Sequence, residues 1–374
     1  MNLRNAGSAM VRLIRNLSGW KTNRKIVVIE SDDWGSIRMP SHEVLNRFIR
    51  KGYSLLQTQY NRLDGLENND DLIQLLDVLS QHKDCFGKPA CITANTIMAN
   101  PDFDRIKESG YQSYYYEHFK ETLTRYPHHD RVFDLHVQGN KLGMLQHQFH
   151  GREHLNVARW MKALQRKDAA VLYAFDQKTT YSGTDDYNYM EALDWDDPTE
   201  TVSLSEIVKS GLLSFEETFG YRSQSFIAPC YTWDVALNKT LSNAGIKYVQ
   251  GVHYQYIPRG GFNNYKKVSW SMGQRNGTLI HLVRNCFFEP SLVAKPDWVD
   301  YTLASVRDAF RLNKPAVLCA HRINFMGSID AKNRKQNLLL LDQLLTAITN
   351  RWPEIEFMSS DQLGATIEKD LNPI

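Results

Sequence analysis

Short blocks of consecutive apolar residues alternate along this chain with stretches in which apolar positions recur every three or four residues. The first pattern reads as buried strand and the second as amphipathic helix. Ile26–Ile29, within KIVVIE, is a strand that runs into a cluster of acids. Ser41–Lys51 reads as a helix closed by Gly52, and Asp70–His82 places Leu72, Ile73, Leu75, Leu76 and Leu79 on one helical stripe. A strand follows at Ala90–Asn95, with further apolar runs at Phe133–Val137, Gly143–Phe149 and Ala170–Phe175. Ser203 and Glu206 have capping-box spacing, opening a helix that ends at Gly220. Strands at Ser225–Ala228 and Lys247–Gln250 flank another helix, and an Asn276-Gly277 turn precedes Thr278–Arg284. The remainder reads as helix Asp297–Leu312, strand Ala316–Ala320, long helix Lys332–Arg351, strand Ile355–Met358 and a last short helix.

Strands separated by helices of this length predict βα units and a mainly parallel sheet. The strands are spread over the whole chain without a repeat or a low-complexity linker. One α/β barrel with inserted loops is therefore expected over residues 23–374, with Gln57–Asn69 and Asp176–Val202 as rim loops. Residues 1–22 read as an N-terminal helical extension, with Met10, Leu13, Ile14 and Leu17 at helical spacing. Arginines at positions 4, 12 and 15 interrupt every apolar run there, so no signal-peptide core is expected. No stretch approaches the ~18 apolar residues of a membrane span.

Composition narrows the functional classes. The 374 residues carry 44 basic and 42 acidic side chains, and that balance argues against a nucleic-acid binder. Five scattered cysteines, Cys85, Cys91, Cys230, Cys286 and Cys319, form no CxxC pair. A disulfide framework and a thiolate metal site are both disfavoured, and a cytoplasmic location is expected. Aromatic residues reach 11%, which suits a carbohydrate-facing cleft and an aromatic core equally.

In a barrel of βα units the active site lies beyond the C-terminal strand ends, so the residues that follow each strand carry the candidate chemistry. After the first strand comes Glu30-Ser31-Asp32-Asp33-Trp34-Gly35. Adjacent acids repel unless a cation or proton relieves them. After Gly143–Phe149 comes His150-Gly151-Arg152-Glu153-His154, two imidazoles at i and i+4 that share a helix face and converge on a metal, with His147 as an alternative ligand. Ile227-Ala228-Pro229-Cys230-Tyr231 follows another strand, and His321-Arg322 follows Ala316–Ala320. A strand-end histidine suits general acid or base work.

This order of motifs resembles the polysaccharide deacetylases, carbohydrate esterase family four. The resemblance runs over about residues 24–360 and implies a distorted (β/α)7-type barrel that removes N- or O-acetyl groups from a carbohydrate with one divalent metal. Zinc is the first expectation for that metal, with cobalt, nickel or manganese as alternatives. By position, Asp32 takes the catalytic base, Asp33, His150 and His154 the metal ligands, and His321 the general acid. Trp34, Tyr231 and Arg284 are then candidates to face an acetylated sugar or glycan. The family's Arg-x-Pro, whose arginine positions the base, is here Ile227-Ala228-Pro229. Arg222, Arg284 or Arg322 would have to supply that charge, and Trp270 is the candidate for the tryptophan of the fourth motif. A backbone N–H of Cys230 or Tyr231 would serve as oxyanion donor. Two other readings remain at this stage: a catalytically silent barrel that binds metal or carbohydrate, and a glycoside hydrolase of a related barrel.

Overall fold

The structure is a computed structural model that describes residues 16–53, 58–181, 189–294 and 297–372. Most of the expected N-terminal helix lies outside these residues, as does part of each expected rim loop. Within them, no helix is long and apolar enough to cross a membrane.

One ten-stranded sheet organises the chain. Its members in chain order are β1 (Lys25–Trp34), β2 (Ile92–Ile97), β5 (Leu145–Gly151), β6 (Ser225–Phe226), β7 (Tyr248–Gly251), β10 (Arg275–Asn276), β11 (Leu279–Val283), β12 (Cys286–Phe287), β13 (Ala316–His321) and β14 (Ile355–Met358). Two small hairpins stand apart from it, β3 (Ala99–Pro101) with β4 (Tyr116–His118), and β8 (Tyr254–Pro258) with β9 (Tyr265–Ser269). The path across the main sheet runs β10-β11-β7-β6-β5-β2-β1-β13-β12, and only the β10–β11 pair is antiparallel. β14 adds to the first half of β1, on the edge whose second half pairs with β2.

That order forces a barrel. β11 and β12 sit seven strand spacings apart along the path, about 34 Å if the sheet were flat. Yet only Arg284 and Asn285 separate them in sequence, a reach of roughly 10 Å. The sheet must therefore curl until its two ends meet. Taken as one bent strand, β11 and β12 complete seven staves, a distorted (β/α)7-type barrel. The strands are buried on both faces, as expected of parallel β-structure.

The helices that cover the sheet form where the apolar stripes placed them. His42–Arg50 is capped by Ser41, whose side chain accepts from Val44 N–H, and Asn69–Gln81 opens with a capping box made by Asn68 and Asp71. Trp298–Arg311 and Ala331–Arg351 supply apolar faces to the outer core, the latter through Leu338, Leu341, Leu344, Leu345 and Ile348. Two apolar runs, Phe133–Val137 and Ala170–Phe175, turn out to lie in helices Val132–Lys141 and Ala169–Asp176. The capping box expected at Ser203 is absent. Helix Thr201–Phe219 continues a 3₁₀ turn capped by Asp197, and the Ser203 hydroxyl donates back to the Glu200 carbonyl. Gly220 does end that helix, in the left-handed conformation at φ 77°.

The closing helix, Ser360–Leu371, packs on β7 through Gly364, where an added Cβ would lie 2.4 Å from the buried Tyr248 ring. Gly364→Ala gains up to ~1 kcal/mol of helix propensity. Overpacking at such a contact costs ~1–3 kcal/mol, so urea unfolding is expected to show net destabilisation. A stabilised variant would mean that this helix is free to slide.

Candidate active site

Asp32, Asp33, His150 and His321 stand at C-terminal strand ends, Arg284 directly follows one, and His154 and Tyr231 lie in the loops beyond, on the face where barrel loops converge. The exception to regular geometry begins in β1. Ser31 pairs with Ala94 and Trp34 with Thr96, so Asp32 and Asp33 together oppose Asn95 alone. This bulge breaks the alternation of a strand, in which neighbouring side chains face opposite sides. Asp33 adopts φ 76° to complete the turn. Both aspartates, each 3% exposed, thereby reach the same cleft. β5 carries a matching bulge against β2, between Phe149 and Gly151, at His150.

Asp33, His150 and His154 form a compact set. Asp33 Oδ1 lies 3.3 Å from Nε2 of each histidine, and the three ligand atoms fall within 4.8 Å of one another. His150 Nδ1 donates to the Ile227 carbonyl at 2.9 Å, which fixes the ring and leaves Nε2 for a cation. Burial pulls His154 down to about 3, so this imidazole is neutral and a competent ligand at neutral pH. The two histidines do not share a helix face. His150 is in the strand, Gly151 turns at φ 137°, and the loop brings His154 back. His147, the alternative ligand, is fully buried behind the sheet against Phe219 and takes no part.

Asp32 is held from the opposite side. Arg284, in the two-residue seam between β11 and β12, donates from Nη1 to Asp32 Oδ2 at 2.6 Å and from Nη2 to Oδ1 at 2.7 Å. Its Nε donates to Glu30 Oε2 at 2.6 Å, and Asn95 adds a 2.8 Å bond to Asp32 Oδ1. Burial alone would raise the Asp32 carboxyl, but the Arg284 guanidinium holds it well below the usual carboxylate range. For Glu30 burial wins, and its carboxyl is pushed up despite Arg284. Of Arg222, Arg284 and Arg322, it is thus Arg284 whose guanidinium reaches Asp32. It is fully buried beneath the cleft, which corrects the expectation that it faces a sugar. Arg222 pairs with Glu216 on the surface, and Arg322 is buried against Asp64 and Glu67.

His321 ends β13 and pairs in register with Asp32, its Nε2 3.7 Å from Asp32 Oδ2. On its other side Nδ1 meets Glu289 Oε1 at 2.6 Å. Burial works against the charged imidazole, but the Glu289 charge and hydrogen bond outweigh it and push His321 up to about 9. Asn324 donates to the second Glu289 oxygen at 2.8 Å and fixes the carboxylate.

Tyr231 lines the cleft, as expected, at positive φ after an equally left-handed Cys230. Its N–H donates to the Ala228 carbonyl, so Cys230 is the remaining oxyanion-donor candidate. Trp34 departs from expectation: it is fully buried, donates to Ser31 Oγ, and meets His136 edge-on below the site. Trp270 stacks on His281 with ring centres 3.9 Å apart, outside the cleft. Three contributors went unread in the sequence: Glu289, Arg38 and Tyr60. Arg38 and Tyr60 line a cleft of about 250 Å³ together with Asp33, His150, His154 and His321.

No family model matches this sequence, and no curated protein matches it. Solved structures do resemble it in chain trace. A 4-alpha-glucanotransferase from Thermococcus litoralis is 13% identical with a TM-score of 0.46, over 91% of this chain and 40% of that one. The match therefore spans less than half of the glucanotransferase. A protein from Mycobacterium smegmatis assigned as a polysaccharide deacetylase is 13% identical, TM-score 0.43, over 95% and 94% of the two chains. The peptidoglycan deacetylase PdaC from Bacillus subtilis is 11% identical, TM-score 0.38, over 93% and 94%. At these identities the likeness is one of fold, and any chemistry must be argued from side chains.

The Arg284 cluster generates a sharp test. Arg284→Met leaves Glu30 and Asp32 buried without their cation, a change of the kind that costs ~3–5 kcal/mol. The unpaired carboxyls would then have folded-state pKa values raised above their unfolded ones. Stability retained through their protonated forms is present at low pH and lost as pH rises through those raised values. Urea unfolding should accordingly show a larger deficit at pH 8 than at pH 5. An equal deficit at both would mean that the two carboxyls do not depend on Arg284.

Proposed function

We propose that this protein is a metal-dependent hydrolase that removes acetyl groups from a carbohydrate, a divergent relative of the polysaccharide deacetylases. One observation carries the reading. Asp33, His150 and His154 converge on a single point, with Asp32–Arg284 and His321–Glu289 flanking the same cleft. A carboxylate oxygen and two imidazole nitrogens form a donor set suited to zinc, with cobalt, nickel or manganese as alternatives. Asp33 Oδ1 and the two His Nε2 atoms 3.3 Å from it, and the Ile227 carbonyl that orients His150, fit such an ion. When bound there, a divalent cation would polarise the acetyl carbonyl and lower the pKa of an attacking water.

The protein's own groups divide the remaining work. Asp32 accepts the water proton, and Arg284 with Asn95 holds its carboxylate ionised and oriented. The Cys230 N–H, at the turn after Pro229, is the backbone donor for charge developing on the carbonyl oxygen. His321, kept protonated by Glu289, passes its proton to the departing amine or alkoxide. The family's base-positioning arginine is absent at Ile227, which was the ground for a silent barrel; Arg284 beside Asp32 supports activity instead. A glycosidase would need a free carboxylate partner across the cleft, and Glu289 is engaged with His321 and Asn324. The five cysteines are unpaired, which supports a reducing, cytoplasmic setting for the substrate.

Two experiments test this reading. Metal analysis of purified protein, with acetate release measured on acetylated amino sugars and xylan acetates, should find a stoichiometric divalent ion and turnover. His150→Ala or His154→Ala should weaken metal binding at least tenfold, since even the loss of an outer-shell partner costs ~10–100-fold. Asp32→Asn should keep the metal while losing ~10²–10⁴ in rate. Full metal occupancy in both histidine variants would sink the assignment.

The second is a pH profile. With His321 pushed up to about 9, the alkaline fall in kcat/KM belongs near that value. Glu289→Gln removes the charge that raises it, so the alkaline limb should move toward or below pH 6.5. On an activated phenyl acetate, whose leaving group needs no proton, the same variant should lose far less rate. An unmoved alkaline limb would leave Glu289 a structural residue.

A further inference from the structure

Among the described residues, Arg38 is the cation in the cleft wall whose hydrogen-bonding capacity the protein leaves largely unused. It follows β1 in the loop that carries Gly35, and its side chain is only 9% exposed. Burying a guanidinium without acceptors is costly, so buried arginines ordinarily donate to several oxygens. Arg284 and Arg322 do so: each meets carboxylates at hydrogen-bonding distance. Arg38 does not. Its Nε forms an ion pair with Asp64 Oδ2 at 3.5 Å, and neither atom has a hydrogen-bond partner. The other Asp64 oxygen is taken by Arg322 Nε at 3.0 Å. Arg38 Nη2 reaches only the Met190 sulfur at 3.2 Å, a weak acceptor.

What surrounds Arg38 aims it at the cleft. Its guanidinium lies over the Tyr60 ring, 4.6 Å from the centroid, and the same ring packs T-shaped against His321 with centroids 5.5 Å apart. Tyr60 therefore spaces two cationic groups along one wall, with Asp33, His150 and His154 lining the same cavity. Arg38 lines the same cavity as Asp33, His154 and Cys230, so the group sits beside the reacting position and not at a remote rim. A planar fork with free N–H groups in such a place matches an oxyanion, which it can bind through two parallel bonds.

Resting on the deacetylase reading, we propose that Arg38 is a specificity-determining residue that binds a carboxylate or phosphate carried by the sugar close to its acetylated carbon. The preferred substrate class is thus an anionic acetylated sugar, and a neutral glycan lacks the group that would satisfy Arg38. Carboxylate and phosphate share the recognition chemistry, and separate probes distinguish them.

Equilibrium binding tests this without requiring turnover. Calorimetric titration of the metal-loaded protein would use three probes: N-acetylglucosamine, N-acetylglucosamine 1-phosphate and N-acetylmuramic acid. At least one anionic probe should bind tenfold or more tightly than the neutral sugar. Arg38→Met should abolish that preference, and Arg38→Lys, which keeps charge but loses the fork, should retain part of it. Thermal unfolding of both variants verifies that they fold, and the Lys variant carries the test if the Met variant does not. Equal binding of all three probes, no binding of either anionic probe, or a preference unchanged in the folded variants overturns the proposal. Because binding is read directly, absence of acetate release would count against the deacetylase reading and leave this result interpretable.

Discussion

The contact on which most else depends is the buried meeting of Arg284 with Glu30 and Asp32. Two carboxylates inside a barrel would each cost several kcal/mol to desolvate alone, and so would the guanidinium. Together they are mutually obligatory. The acids belong to the first strand, and the arginine to the two-residue seam where the sheet's ends join. Closing the barrel therefore delivers the cation to the acids, and the geometry of Asp32 is set by the same event that completes the fold. Ser360 and Thr93 extend the cluster, Ser360 Oγ donating to the free Glu30 oxygen at 2.7 Å.

A second ion cluster steadies the loop that follows β1. Arg322, next to His321, donates to Asp64, Glu67 and the Ser36 carbonyl. Glu67 in turn accepts from Gly35 N–H at 2.9 Å and contacts His136. Gly35 sits at φ 79°, and a Cβ there would lie 2.6 Å from the Ile97 carbonyl, so only glycine fits the turn. The strained Asp33 backbone is thus clamped at its C-terminal side by a glycine, a carboxylate and an arginine. His321 and Arg322 are adjacent in sequence yet serve the two clusters separately, one above the strand end and one beneath it.

The parts of this arrangement legible in the sequence are those written locally. The β1 run, the leucine stripe of Asn69–Gln81 and the strand ending at His321 are all visible as hydrophobic period. The Asp-Asp and His-x-x-x-His pairs could be read because each stands within a few residues. Their geometry could not, since the bulges that turn Asp33 and His150 arise from pairing with β2. Strand alternation also misleads at Trp34, which the bulge sends into the core. Arg284 stood among three arginines that sequence could not rank; only barrel closure selects it. Glu289 and Arg38 lie in irregular segments, and Tyr60 opens a four-residue helix too short to carry a periodic signal; they meet His321 or the Asp33, His150 and His154 set only through topology.

The neighbours of β1 also bear on how the chain is made. β1 lies between β13 on one edge and β14 with β2 on the other. During synthesis its apolar KIVVIE stretch emerges long before β13 and β14. Until then β2 is its sole native partner, and the remaining edge is open to wrong pairing. Such long-range closure is slow to form. The strand that bears both aspartates is accordingly one whose nascent edge stays open until β13 is made.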